Sequence, residues 1–266
     1  MTSLHFACVC GNIEIVKLLL NDVQNVNPIK INSKAIQSGS NYYVTPLHIA
    51  CQNGFYEIAK ILLTNIRTDY NIPTSFNSNN NINSNNIMPL HYACQNGFYE
   101  IAKILLSKSK IVIDSKCTID DDLYNSLHLA SLNGHFKIVR LLLNNSKGIK
   151  MLNSQTNIKK YTPLHLSCKF GHFEVVNELI GRPNINLNIL DADNFTALHL
   201  ACINGSKEIV EILVHHPQCK INFAQTIYDI EGIFIFIYLI MFLIFFLLLK
   251  NQFFLYIEFH GVFFFN

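Results

Sequence analysis

The sequence predicts an all-α solenoid of six helix-loop-helix units, followed by a hydrophobic C-terminal segment. The stretch from Ala50 to Leu63 recurs letter for letter from Ala93 to Leu106, and a self-match of this length indicates an internal repeat. Looser copies of the same unit occur along most of the chain. Each copy contains two apolar stretches separated by a glycine, which is the pattern of two short helices joined by a loop.

Every unit opens with a short motif that ends in histidine, such as the sequence Thr-Pro-Leu-His from Thr45 to His48. This motif resembles the ankyrin repeat, whose signature opens T-P-L-H-x-A. The resemblance covers roughly residues 1–223 and implies helix pairs that stack into a curved ankyrin-repeat solenoid. The six units begin near Thr2, Thr45, Met88, Asn125, Thr162 and Thr196.

The first helix of a unit has recognisable start and stop signals. The hydroxyl of Thr45 can accept hydrogen bonds from the free amides of the first turn, and Pro46 suits the first helical position because its missing N–H costs nothing there. Met88 lacks such a hydroxyl, whereas Asn125 can replace it. A glycine just past the helix end is expected to adopt the left-handed conformation. These glycines are Gly11, Gly54, Gly97, Gly134, Gly171 and Gly205.

The second helix is expected to bury one broad apolar face. In unit two the charged residues Glu57 and Lys60 lie three positions apart and are expected to remain in water. The buried face is predicted to contain Ile58, Ala59, Ile61, Leu62 and Leu63.

The connections between units vary in length. Successive signature histidines are 43, 43, 37, 37 and 34 residues apart, whereas a minimal unit needs about 33. The excess therefore lies after each second helix. One such insert, Asn77 to Asn86, contains almost nothing but asparagine and serine. It cannot bury enough apolar surface to offset its ordering entropy, so we expect a disordered loop.

The segment 224–266 forms a hydrophobic tail, in which Ile233 to Leu249 are 17 apolar residues in succession. As a helix, this run would be about 25 Å long, near the short limit for crossing a ~30 Å hydrocarbon core. It is therefore a candidate transmembrane helix that anchors the repeats to a membrane. Its many isoleucine and phenylalanine residues also suit an irregular or strand-forming segment. A third interpretation is that the tail is the translation of an intron or of a shifted reading frame, because the apolar run begins where a seventh unit should.

Composition excludes several classes of function. The net charge of +2 gives no indication of a nucleic-acid surface. Four of the eight cysteines repeat the unit position of Cys8, which indicates register and not a disulfide framework. Met1 leads directly into a repeat, so no signal peptide is indicated, and reduced thiols in the cytosol are the simplest expectation. No small-molecule substrate or cofactor is indicated.

The recurring histidines and cysteines are the residues best suited to metal binding or catalysis. His48 and Cys51 are three positions apart and could share a metal, but two ligands fall short of the four of structural zinc. The family resemblance implies instead that the histidine makes hydrogen bonds to a neighbouring turn, and that the cysteine replaces a small buried alanine. Nucleophile motifs such as G-x-S-x-G and H-E-x-x-H are absent, so the chain is not predicted to be an enzyme.

The remaining candidates are contact surfaces for a protein partner. The resemblance implies that partners bind the turn tips and the concave side of the first helices. Two positions in each unit correspond to these surfaces, one just after the Ala-Cys pair and one just before the cap. At the cap position, aromatic residues suit an interface hot spot, although they could equally pack the turns. The candidates are Gln52, Gln95, Leu132, Lys169 and Ile203, together with Val44, Ile87, Tyr124, Tyr161 and Phe195.

Three functional hypotheses follow from these features. The leading one is a non-catalytic protein-protein interaction scaffold with cytoplasmic repeats and an unidentified protein partner. The second is a membrane-anchored adaptor that uses residues 233–249. The third is a fragment or mis-spliced product of a longer array, because neither end carries the polar cap that repeat arrays usually have.

Overall fold

The computed structural model describes residues 1–21, 29–36, 42–76 and 85–220. Twelve α-helices occur in this part of the chain, two in each of the six units. The first helices are α1 (Ser3–Val9), α3 (Pro46–Asn53), α5 (Pro89–Gln95), α7 (Ser126–Leu132), α9 (Pro163–Lys169) and α11 (Ala197–Asn204). The second helices are α2 (Ile13–Asn21), α4 (Tyr56–Thr64), α6 (Tyr99–Leu106), α8 (Phe136–Leu143), α10 (Phe173–Ile180) and α12 (Lys207–Val214).

The helix boundaries follow the predicted capping chemistry. The Oγ1 atom of Thr45 accepts from the backbone N–H of His48, and the Asn125 side chain does the same for its own helix. Met88 makes no side-chain cap bond. All six predicted stop glycines adopt the left-handed conformation, with φ between 67° and 78°. The sequence prediction for the ends of the first helices is therefore confirmed.

The units stack in chain order. Each first helix packs against the first helix of the next unit, and each second helix against the next second helix, from α1–α3 and α2–α4 to α9–α11 and α10–α12. The predicted buried face of α4 is confirmed at Ile58, Ala59, Leu62 and Leu63, with Ile61 half-buried. The core therefore runs through the whole array as one continuous cluster.

The connections contain short strands that the all-α prediction did not include. Strands β1 (Ala35–Ile36), β2 (Tyr42–Val44) and β3 (Ser75–Phe76) pair antiparallel in that order, and β4 (Lys116–Ile119) pairs with β5 (Asp122–Asn125). The last two strands are joined by Asp120 and Asp121, whose φ values of 49° and 63° fit a two-residue hairpin turn of type I′. The longer connections thus have enough backbone to pair with one another.

Two predictions concern residues outside the described part of the chain. The candidate transmembrane helix 233–249 and the rest of the tail 224–266 lie there, as do residues 77–84 of the expected disordered loop. At the edge of that loop, the Asn85 side chain donates to the hydroxyl of Tyr42. Among the helices of the described residues, none has the length and apolar character needed to cross a membrane.

Candidate functional site

The signature histidines bond to the connections that lead from one unit to the next. In unit two, the Nδ1 atom of His48 accepts from the backbone N–H of Thr45 at 3.2 Å. Its Nε2 atom lies 3.0 Å from the carbonyl oxygen of Ile87. Because a carbonyl can only accept, Nε2 carries the proton, and this pattern defines the tautomer. Equivalent Nε2–carbonyl contacts of 2.9–3.1 Å are made by His5 to Val44, His91 to Ser115, His128 to Ser154 and Tyr161, and His165 to Phe195.

These contacts determine the chemistry available to the histidines. Burial lowers the pKa of His48, His91, His128 and His165 to about 4, so the rings are neutral at pH 7. Both ring nitrogens of each are occupied by hydrogen bonds to the protein. The geometry therefore supports the hydrogen-bonding role that the family resemblance implied, and it leaves these rings no free nitrogen for a metal.

The cysteines three positions after these histidines behave as small core residues. Cys51, Cys94 and Cys168 are fully buried, and burial raises the pKa of each thiol above its ordinary value. A buried neutral thiol is a poor nucleophile. No group of three or more potential metal ligands occurs among the described residues.

The stop glycines mark a second contact between units. A Cβ atom added to Gly54 would lie 2.6 Å from the Phe98 ring of the next unit, and one added to Gly97 would lie 2.6 Å from the His135 ring. The Nε2 atom of His135 also contacts the carbonyl oxygen of Gln95 at 3.0 Å. Each of these glycines is thus required both by its backbone conformation and by the ring that covers it.

A third contact uses asparagine side chains near the start of the connections. The Nδ2 atom of Asn71 donates to the carbonyl of Lys110 at 2.9 Å, and its Oδ1 atom accepts from the N–H of Val112 at 3.0 Å. Asp114 occupies the equivalent position in unit three and makes no side-chain hydrogen bond within the described residues. The same pair of hydrogen bonds to the next unit is made by Asn32, Asn153 and Asn188.

The five candidates that precede the caps pack within the array. Val44 is 0% exposed and Tyr161 is also buried, whereas Ile87, Tyr124 and Phe195 are half-buried. The rings of Tyr124 and Phe195 lie 6.2 and 5.8 Å from the signature histidines of their own units. A buried valine has no surface to offer a partner, so the packing alternative describes Val44 and Tyr161. Their exposure was hard to predict because it depends on the preceding unit.

The five candidates that follow the Ala-Cys pair, or its equivalent, are more accessible. Gln52, Gln95 and Leu132 are half-buried, whereas Lys169 and Ile203 are exposed. The Nζ atom of Lys169 donates to the Tyr161 hydroxyl at 3.0 Å and lies 4.6 Å from the centre of that ring. Exposure therefore increases toward units five and six.

Phe170 extends this exposed region, and the sequence interpretation did not select it. Its side chain is 49% exposed, compared with 44% for Ile203, and the Lys169 ammonium lies 6.0 Å from its ring centre. Lys169, Phe170 and Ile203 are here called the unit-five patch. A signal was present in the sequence, because the position of Phe170 is occupied in four other units by Asn53, Asn96, Asn133 and Asn204.

Comparisons with known proteins agree with this architecture. A family model described as ankyrin repeats (3 copies) matches residues 1–74, 68–154 and 147–225. The crystal structure of EF0377, an ankyrin repeat protein, aligns with a TM-score of 0.62 and 25% sequence identity. The alignment covers 80% of this chain and 97% of that one. No curated protein matches the sequence.

Proposed function

This chain belongs to the ankyrin repeat family, whose members generally bind other proteins, and we propose that it is a non-catalytic scaffold for a protein partner. The unit-five patch is the centre of the proposed binding surface. The observation that carries this proposal is Phe170, a half-exposed aromatic ring at a position where four other units have asparagine. Repeat stacking does not require a phenylalanine there.

The chemistry of the patch suits a protein partner. Phe170 and Ile203 offer apolar area, which is the usual character of an interface centre. Lys169 adds one cation held in place by the Tyr161 hydroxyl. Aromatic side chains such as Phe170 are enriched at the centres of interfaces. Gln52, Gln95 and Leu132 would extend the surface along the first helices of units two to four.

The array itself supplies matched variants for a test. Phe170→Asn and Ile203→Gln introduce residues that other units already carry at these positions, so the fold should be retained. The full-length chain and the double variant are used as baits in quantitative affinity capture, with melting temperatures compared first. A protein enriched by the wild type and reduced at least about tenfold by the double variant would support the proposal.

A control variant distinguishes binding by this surface from nonspecific binding by exposed apolar residues. Ile66 is 99% exposed and lies at the end of α4, away from the patch. Ile66→Asn should leave capture unchanged. Equal capture by the wild type and the double variant would refute the unit-five patch as the binding surface.

A membrane-anchored adaptor is the second candidate function. It is supported by the 17 uncharged apolar residues from Ile233 to Leu249, which satisfy the hydropathy expected of a membrane span. Carbonate extraction of cell membranes tests this proposal. Recovery of the full-length chain in the pellet would support an integral segment, and complete release to the supernatant would exclude it.

A further inference from the structure

The segments that follow the second helices of units two to six share an excess of positive charge. They are residues 65–71, 107–114, 144–152, 181–188 and 215–220. These segments contain seven of the 20 lysine and arginine residues but only two of the 18 aspartate and glutamate residues. The chain as a whole is nearly balanced, with a net charge of +2. Positive charge is therefore concentrated in one part of each unit.

These segments lie side by side along one edge of the array. The second helices that precede them pack against one another in chain order. The Asn32 side chain donates to the carbonyl of Arg67, and the Asn71 side chain donates to the carbonyl of Lys110, so each of these two segments is tied to the connection before it. Six exposed residues are here called the connection edge: Ile66, Arg67, Lys110, Val112, Lys147 and Lys150. None of its four cations forms an ion pair within the described residues.

Helix dipoles do not account for these cations. A dipole favours basic residues in the last turn of a helix, and the effect falls off within that turn. In α6 and α8 the last turn already contains Lys103 and Arg140. Lys110 and Lys147 lie four residues beyond the ends of the same helices. Their positive charge is therefore available to a partner.

Apolar side chains project among the cations of the edge. Ile66 is 99% exposed and Val112 is 39% exposed, whereas later units carry serine or proline at the position of Ile66: Ser109, Ser146, Pro183 and Pro217. At an anionic membrane surface, apolar side chains enter the boundary between headgroups and acyl chains, and cations lie among the charged headgroups. Single-stranded nucleic acid would instead favour aromatic side chains for stacking. The chemistry of the edge therefore fits a lipid surface.

We propose that the connection edge binds the surface of an anionic lipid bilayer, with Ile66 inserted at the headgroup boundary and the four cations against the headgroups. This function goes beyond the scaffold and does not require residues 233–249. The unit-five patch lies before α10, whereas the edge follows the second helices. An array bound to lipid can therefore still hold a protein partner.

An introduced tryptophan reports on the edge directly, because the chain has none of its own. The full-length Ile66→Trp chain is mixed with phosphatidylcholine vesicles that contain or lack phosphatidylserine. Only with phosphatidylserine should the emission move to shorter wavelength and be quenched by lipids brominated on their acyl chains. Phe170→Trp, at the opposite end of its helix pair from the segment that follows α10, should show neither change.

Charge removal tests the role of the cations, with Ile66→Trp as the background. Lys110→Gln combined with Lys147→Gln should weaken the apparent affinity for anionic vesicles at least about tenfold, because each cation near such a surface contributes about fivefold. The matched control is Lys137→Gln combined with Lys207→Gln, at two exposed lysines in the first turns of α8 and α12. It should change the affinity less than about threefold. Circular dichroism confirms that each variant retains its helix content.

Salt distinguishes the edge from the apolar tail. Raising the salt concentration to about 1 M shortens the screening length to about 3 Å, so the emission change at residue 66 should be reversed. Insertion of an uncharged segment has no such dependence. A chain that pellets with vesicles while residue 66 gives no phosphatidylserine-dependent change would overturn the proposal, because the contact would then lie in the tail or on another surface.

Three other results would also overturn it. The first is an equal loss of affinity in the two lysine pairs. The second is an emission change that persists at high salt. The third is an equal emission change with soluble polyglutamate, which would assign the edge to an acidic chain. Each of these results leaves the protein-partner proposal intact, because that proposal is tested by Phe170→Asn and Ile203→Gln.

Discussion

Acidification should unfold this array well before its carboxylates are protonated. Four signature histidines have a pKa of about 4 in the folded chain, because burial disfavours the charged ring. Their ordinary value of 6.5 applies once the chain unfolds. Below pH 6.5 the unfolded chain therefore binds more protons, and the free energy of unfolding falls as pH decreases toward 4.

The size of this effect follows from the separation of the two pKa values. At pH 5 each histidine is about 1.5 pH units below its unfolded pKa while still neutral in the folded chain, which corresponds to about 2 kcal/mol. Four such residues give roughly 8 kcal/mol, comparable to the total stability of 5–15 kcal/mol typical of natural domains. The loss should be largely complete near pH 4, where the folded-state groups also titrate.

Urea titrations of the full-length chain, followed by far-ultraviolet circular dichroism between pH 7.5 and 5, measure this loss. His128→Gln should lower stability at pH 7.5, because it removes the contacts to Ser154 and Tyr161. Between pH 7.5 and 5, the free energy of unfolding of this variant should fall by about 2 kcal/mol less than that of the wild type. Ile66→Asn, at an exposed residue that carries no titratable group, should leave the pH dependence unchanged. A urea midpoint that is constant across this range would refute the reasoning.

Three further predictions concern the ends of the helices and the contacts between units, each measured by urea denaturation. Gly205→Ala, at a site with open space around the new Cβ, should lower the free energy of unfolding by about 1–2 kcal/mol for the left-handed backbone alone. Gly54→Ala should lower it more, because the new Cβ also meets the Phe98 ring. Equal losses for the two variants would contradict this. Asn71→Asp should cost about 1–3 kcal/mol, because a carboxylate oxygen replaces the amide donor; an unchanged midpoint would contradict it. Met88→Thr should raise the free energy of unfolding by about 1 kcal/mol, because it supplies the missing side-chain cap of α5. A lower stability would argue against the capping position of residue 88.

Local signals made the helices predictable from the sequence. The threonine caps and stop glycines act within one turn of backbone, so single residues such as Thr45 and Gly54 were sufficient evidence. The two hydrogen bonds made by the Asn71 side chain were not predictable in this way. Its partners lie 39 and 41 residues away, and an asparagine in a connection has no distinctive local pattern.

The candidate site was predicted only in part. The unit register selected Lys169 and Ile203 as candidate contact residues, and both are exposed, whereas Gln52, Gln95 and Leu132 at the same position are half-buried. It did not distinguish Val44, which is covered by other units, from more accessible residues at the same register. Phe170 was detectable only by comparing one unit with the others at a single position.

The contact between each glycine and the following ring has a consequence for how such a gene can evolve. The ring of Phe55 covers Gly11, and the ring of Phe98 covers Gly54. Removal of residues 50–92, between the matching starts of the two identical stretches, would bring Phe98 to Gly11, with the same ring type, and would leave the carbonyl of Val44 in place for His5. Unequal recombination between the two identical stretches can therefore change the number of units in one step while conserving the junction that it creates.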